Sequence, residues 1–151
     1  MGTHTFSQWL AARVEADDWA AIEDRFNDTA VARDLGPEIV LADPDRPRCV
    51  ISKEKPIHSG GVGQDFTNGV IIAGVFDFVL GLTALRYTGE GNFATTSLNI
   101  RMLKAVEKGG VYAVGEVSRR IGRTIFAEAT LYNGRDEPCS FATGEVRVGI
   151  R

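Results

Sequence analysis

The run Phe66-Thr-Asn-Gly-Val-Ile-Ile-Ala-Gly-Val-Phe-Asp-Phe-Val-Leu-Gly-Leu-Thr-Ala-Leu85 carries a single charge, Asp77. A carboxylate in an apolar helix is costly to bury unless it is paired, hydrogen-bonded or neutralised. Asp77 therefore either faces a polar opening or finds partners from elsewhere in the chain. A lone helix acid is most often structural, and its apolar setting makes a functional acid the alternative reading. At the start of the same run, Asn68-Gly69 reads as an N-cap followed by the first helical residue. The first N–H groups of a helix have no intrahelical acceptor and sit at the positive end of its dipole. Gly69 leaves that end open to approach, so a developing oxyanion finds a donor there.

The other reactive side chains are scattered. Cys49 and Cys139 are too few and too far apart for a disulfide framework or a zinc site, and they read as reduced thiols. The histidines, His4 and His58, lie outside the apolar run, and no His/Cys/Asp group has metal-ligand spacing. His58 belongs to Lys55-Pro-Ile-His-Ser-Gly-Gly-Val-Gly63. This loop lacks the GxxxxGK[ST] pattern of a phosphate cradle, and it reads as a mobile loop beside a pocket.

Stepping outward from Asp77, the apolar run is a helix from Gly69 to Leu85, apolar nearly all round and hence central rather than superficial. Its glycines and its charge argue against a membrane span. Gly74 and Gly81 are seven apart, on one face, and call for close backbone packing. Before this helix, residues 5–35 read as a helical arm. Thr5-x-x-Gln8 is a capping box, Phe6, Trp9, Leu10 and Val14 recur at helical spacing, and Asp17-Asp18 caps a second helix with Trp19, Ile22 and Phe26 on one face. A break is expected near Asn27-Asp28 and a stop at Gly36-Pro37. Trp9 and Trp19 read as anchors of the arm; a pocket wall is the alternative. Glu38 to Ala42 and Arg48 to Lys53 form a hairpin around Asp43-Pro-Asp-Arg-Pro47. After the helix, Gly89-Glu-Gly-Asn92 is a turn. Four strands follow, Phe93–Lys104, Val111–Ile121, Arg123–Tyr132 and Ser140–Gly149. In the first, Thr96, Leu98, Ile100 and Met102 alternate with Thr95, Ser97, Asn99 and Arg101, apolar on one face and polar on the other. Strands grouped apart from the helix predict an α+β fold with an antiparallel sheet.

With 151 residues and a net charge of −3, the chain has the size of one domain and lacks the basic excess of a nucleic-acid binder. Its start shows no basic patch followed by an apolar run, so a cytoplasmic protein without a signal peptide is expected.

The order of these elements resembles the hotdog fold. The details are similar to the 4-hydroxybenzoyl-CoA and phenylacetate-pathway branch of acyl-CoA thioesterases. Asn68-Gly69-Val70 running to Asp77 resembles that family's His-Gly-Gly and helix-acid motif, with Asn in place of His and Val in place of the second Gly. Ala94-Thr-Thr-Ser-Leu-Asn-Ile-Arg-Met-Leu103 resembles its first long strand, and Arg119-Arg-Ile-Gly-Arg123 its basic turn. The resemblance spans about residues 38–149, so residues 1–36 are an added arm and 37–151 the hotdog domain.

The resemblance implies a hydrolase that cleaves an acyl-CoA to free acid and CoA. Asp77 is then general base or nucleophile, and the Gly69 N–H is the oxyanion donor. Asn68 orients the thioester or caps the helix. Thr95, with Thr96 as its rival, hydrogen-bonds the acid or the water. Gln64 is the nearest match to a polar residue upstream of the motif, and His58 is a pocket-lining candidate. Arg119, Arg120 and Arg123, with Arg101 and Lys104 as neighbours, are candidates for the CoA phosphates. No metal or cofactor is implied beyond CoA in the substrate. The implied assembly is a homodimer or a dimer of dimers, with Gly69 of one copy near Asp77 of the other; neither nucleic acid nor membrane is a partner. A non-catalytic acyl-CoA-binding module is the alternative, and a dehydratase, which needs a histidine in the pocket, ranks below it.

Overall fold

The computed structural model describes residues 5–60, 63–89 and 91–150. Parts of the expected glycine-rich loop (61–62) and of the turn after the helix (90) lie outside the described residues, as does His4. Helices α1 (Phe6–Glu15), α2 (Trp19–Asn27) and α3 (Ala30–Leu35) form the arm. Each starts where a side chain satisfies the first free amides. Thr5 and Gln8 make the reciprocal capping box, Asp18 accepts from the Ala21 N–H and Thr29 from the Ala32 N–H. Gly36 ends α3 in a left-handed conformation, φ +86°.

Strands β1 (Glu38–Val40) and β2 (Arg48–Ile51) form the expected hairpin. The central helix α4 (Gly69–Thr83) is followed by a 3₁₀ turn at Leu85–Tyr87. Strands β3 (Asn92–Met102), β4 (Val111–Ile121), β5 (Thr124–Tyr132) and β6 (Pro138–Ile150) complete one antiparallel sheet in the order β1-β2-β4-β5-β6-β3. Strands β2 to β6 all reach α4, so the sheet curls around the helix. This is the hotdog fold. Phe76, Val79 and Leu80 of α4 are fully enclosed and share one core with Leu10 and Ile22 of the arm and Leu131 of β5. Burying a side chain the size of Phe76 contributes about 1.5–3 kcal/mol. The stretch Gly69–Tyr87 is apolar and long enough to cross a bilayer, yet 61% of its most apolar window is buried inside the fold. Its hydrophobicity serves the core.

The strict alternation expected for β3 is broken. Thr95 pairs with Val146 and Ser97 with Glu145, leaving Thr96 as the extra residue of a bulge. Phe93 and Thr95 are half-buried before the bulge, Leu98 and Ile100 after it. The inward parity thus changes from odd to even at Thr96. Thr95, which alternation puts on the polar face, comes to the side that holds Leu98 and Ile100.

The two sheet edges differ. Along β1, α2 supplies the missing partners: Asn27 donates to the Ile39 carbonyl at 2.9 Å and accepts from its N–H at 2.8 Å, and Glu23 accepts from the Leu41 N–H at 2.7 Å. Among the described residues, β3 pairs only with β6.

Candidate active site

Asp77 faces outward onto an opening, one lined mainly by apolar groups rather than the polar one expected. It is exposed on a helix whose neighbours Val75, Phe76, Val79 and Leu80 are buried. The carboxylate opens onto a cavity of about 400 Å³ lined by Phe26, Phe78, Gly81, Leu82, Phe93, Ala94 and Thr95. Gly81, one turn beyond Asp77, faces β3 with space to spare: a Cβ there would lie 3.5 Å from Phe93 Cε2 and 3.9 Å from Thr95 Oγ1, ordinary contact distances. The bulge at Thr96 brings Thr95 to the same cavity, whereas the Thr96 hydroxyl donates to the Glu145 carbonyl at 3.3 Å. An exposed carboxylate, a hydroxyl and an apolar chamber are thus brought together by one helix and one strand. That combination can hold a water or a carbonyl beside a base.

Asn68 is occupied with structure. Its Oδ1 accepts from the Ile71 N–H at 3.0 Å, and its Nδ2 donates to the Ile57 carbonyl at 2.6 Å and the Ser59 carbonyl at 3.1 Å. It caps α4 and ties the 57–59 segment to the cap, a contribution of about 1 kcal/mol from the cap alone. Gly69, the first helical residue, is exposed, with an amide that the helix itself does not use. Met102 of β3 lies over it, its Cε 3.3 Å from where a Cβ would be.

His58 is enclosed on all sides. Nε2 donates to the Leu35 carbonyl at 2.6 Å, Nδ1 accepts from the Lys55 N–H at 3.1 Å, and Glu54 lies 3.3 Å from Nδ1. The ring joins the end of α3 to the loop before α4 and reaches no opening, so the expectation that it lines a pocket does not fit its position. Gln64 is exposed in the turn that leads to α4. Arg119, Arg120 and Arg123 surround the β4–β5 turn. The Arg120 guanidinium stands 5.2 Å over the Tyr87 ring and its Nε donates to the Gly122 carbonyl; Arg123 donates to the Gly149 carbonyl at 3.4 Å. Arg119 lines a shallow concavity with Ser118, Ile121 and Phe126. Through Tyr87 this cluster sits past the C-terminal end of α4, whereas Gly69 opens its N-terminal end.

Phe78 and Phe93 line the cavity, whereas Phe76 is core. Phe26 is the residue the sequence placed only on a helix face; nothing in its spacing shows that α2 folds back over Asp77. Neither tryptophan lines the cavity: Trp9 stacks on Phe6, and Arg86 covers Trp19. Both cysteines are buried, and burial pushes the Cys49 thiol far up, so it is no nucleophile. Among the described residues no group of three His, Cys, Asp or Glu is placed to hold a metal ion.

The comparisons with known proteins agree with this architecture. A Shewanella oneidensis protein described as related to the thioesterase superfamily superposes with a TM-score of 0.78 at 22% identity, covering 90% of this chain and 98% of that one. The PaaI protein from the Escherichia coli phenylacetic acid degradation operon gives 0.68 at 15% identity over 92% of this chain and 95% of that one. A Bacillus halodurans protein, solved with CoA, gives 0.71 at 20% over 97% and 96%. A Thermoplasma volcanium protein, an esterase by name only, is 32% identical over 84 residues, 55% of this chain and 62% of its own length. The match thus spans less than two thirds of that relative. The family model described as the thioesterase superfamily matches residues 64–140, which hold α4, β3, β4, β5 and every candidate catalytic residue. The chain belongs to the thioesterase superfamily.

Proposed function

We propose that the chain is an acyl-CoA thioesterase that works as a dimer, with Asp77 as its general base or nucleophile. The observation that carries this reading is Asp77 itself: the carboxylate of a buried helix, turned into an apolar cavity beside the Thr95 hydroxyl. As a base, Asp77 takes a proton from a water that attacks the thioester carbon. The carbonyl π electrons move to oxygen, and collapse of the adduct breaks the C–S bond and releases CoA thiolate and the free acid. As a nucleophile, Asp77 attacks the thioester carbon, the C–S bond breaks and CoA thiolate leaves, and water then opens the resulting mixed anhydride to the free acid and the Asp77 carboxylate. In either case the carbonyl oxygen needs a donor, and Thr95 holds the water or the carboxylate in line.

Gly69 is the proposed donor, and it acts from the second copy. Along one helix Gly69 and Asp77 are separated by about 12 Å, too far to serve one carbonyl group. The open edge of β3 supports such pairing, since an exposed strand edge is resolved by a second strand. Arg119, Arg120 and Arg123 are assigned to the CoA phosphates by their charge, and the Bacillus halodurans relative with CoA supports the ligand class. Asn68 acts by fixing the Gly69 end of the helix. Gln64 borders that end.

The test is steady-state hydrolysis of acyl-CoAs by wild type and Asp77→Asn. The expected loss is about a hundredfold or more in kcat, with affinity for a CoA ester retained. Equal turnover by the two proteins on every ester overturns the catalytic assignment.

A further inference from the structure

We infer that the N-terminal arm sets the length of acyl group the site accepts, with Phe26 as the end wall. This rests on the thioesterase reading of the Asp77 cavity and adds a specificity-determining residue that lies outside the matched segment 64–140. Phe26 comes from α2, Phe78, Gly81 and Leu82 from α4, and Phe93 from β3; all border the space onto which Asp77 opens. Phe26 meets Phe93 with ring centroids 6.3 Å apart, and Phe6 closes on Phe26 edge-on at 6.1 Å. A polar acyl terminus finds no partner among these rings and Leu82, so the chamber takes an apolar chain.

Phe26 is a fixed wall. On its C-terminal side, Asn27 holds both backbone groups of Ile39, and the Thr29 hydroxyl donates to the Phe26 carbonyl itself at 2.7 Å. On its N-terminal side, Glu23 holds the Leu41 amide. At the start of α2, Arg86 lies 4.8 Å over the Trp19 ring and pairs with Asp45 of the β1–β2 hairpin at 2.7 Å. At the far end, Leu35 of α3 packs over Gly74 of α4. A ring supported in this way stays put and excludes what is too long, because a wall discriminates only as sharply as its own position is held. At about 400 Å³ the cavity is near the lower end of the roughly 300–1,000 Å³ typical of ligand pockets, which fits a short or medium acyl chain. Gly81, also in the lining, has the complementary role: room for one methyl group remains there, and filling it narrows the chamber.

The experiment is kcat/KM over straight-chain acyl-CoAs from two to sixteen carbons for wild type, Phe26→Ala, Phe26→Leu and Gly81→Ala, with circular dichroism confirming folding. The expected outcome is an optimum displaced to longer chains in Phe26→Ala, less so in Phe26→Leu, and to shorter chains in Gly81→Ala. Discrimination of about tenfold or more is expected between esters that flank the wild-type optimum, as one methylene is worth in an apolar pocket. An unchanged chain-length profile in the folded variants, or a loss equal for all chain lengths, overturns the proposal. Non-hydrolysable thioether analogues of the same CoA series, titrated calorimetrically, give an independent readout. If no ester is turned over faster than by Asp77→Asn, the thioesterase reading fails, and the analogue affinities still decide whether Phe26 sets chain length.

Discussion

Two adjacent threonines separate chemistry from structure at the residue scale. Thr95 borders the cavity with Asp77, and Thr96 spends its hydroxyl on the Glu145 carbonyl. Valine keeps the β-branched shape of either residue and removes only the hydroxyl. Thr95→Val is expected to lose about ten- to a hundredfold in kcat, the worth of a hydrogen bond to a charged group. Thr96→Val is expected to hydrolyse acyl-CoA at close to the wild-type rate. Parallel rate measurements on the two variants check this, and an equal effect removes Thr95 from the machinery. The sequence names both residues and cannot choose, because alternation assumes an unbroken strand. Asp77 is legible for the opposite reason: one charge in an apolar helix has few physical explanations. His58 is not legible. A lone loop histidine has no periodicity that distinguishes a pocket from the enclosed bracket between Leu35 and Lys55 that it forms.

At the scale of elements, the bulge in β3 and the glycines around it decide what the helix and strand present. Gly144 of β6 pairs with Leu98, just past the bulge; a Cβ there would come within 2.7 Å of the Ser97 carbonyl oxygen and 2.9 Å of Leu80 Cδ1. The first neighbour is backbone and has little freedom to yield. Gly144→Ala is therefore expected to destabilise the fold by about 1–3 kcal/mol, the usual cost of overpacking, as measured by urea unfolding. Because the strain falls between β3 and α4, activity is expected to drop at temperatures where the variant remains folded. Unchanged stability would mean that the bulge does not constrain this contact. Nearly every element is legible from capping residues, apolar spacing and turn residues. Where the arm goes is not, since that depends on pairings such as Asn27 with Ile39, twelve residues apart and without a local signal. Those pairings carry Phe26 to the cavity.

At the scale of the whole molecule, the uneven treatment of the two sheet edges is the observation behind the proposed dimer. The β1 edge is capped by Asn27 and Glu23, while β3 offers eleven residues of strand with one side unpaired among the described residues. Beside that edge, Ile57, Val70, Met102 and Leu103 are all more than half exposed, a collection of large apolar groups around the Gly69 end of α4. In the proposed dimer, a two-fold pairing of β3 would cover the edge and set the Gly69 amide of one copy against the Asp77 cavity of the other. Complementation tests this arrangement. Gly69→Pro removes the amide hydrogen at the first helical position, where proline is well tolerated. The preceding Asn68, at φ −73° and ψ 158°, already has the backbone a following proline needs. Asp77→Asn and Gly69→Pro are each expected to be nearly inactive alone. Produced together in equal amounts, they form mixed dimers in which one site carries both defects and the other neither. Recovery of about a quarter of wild-type activity is expected from random pairing in a two-fold dimer. If mass analysis shows mixed dimers and activity remains at the level of the separate variants, each site draws both groups from one chain and the composite site is wrong.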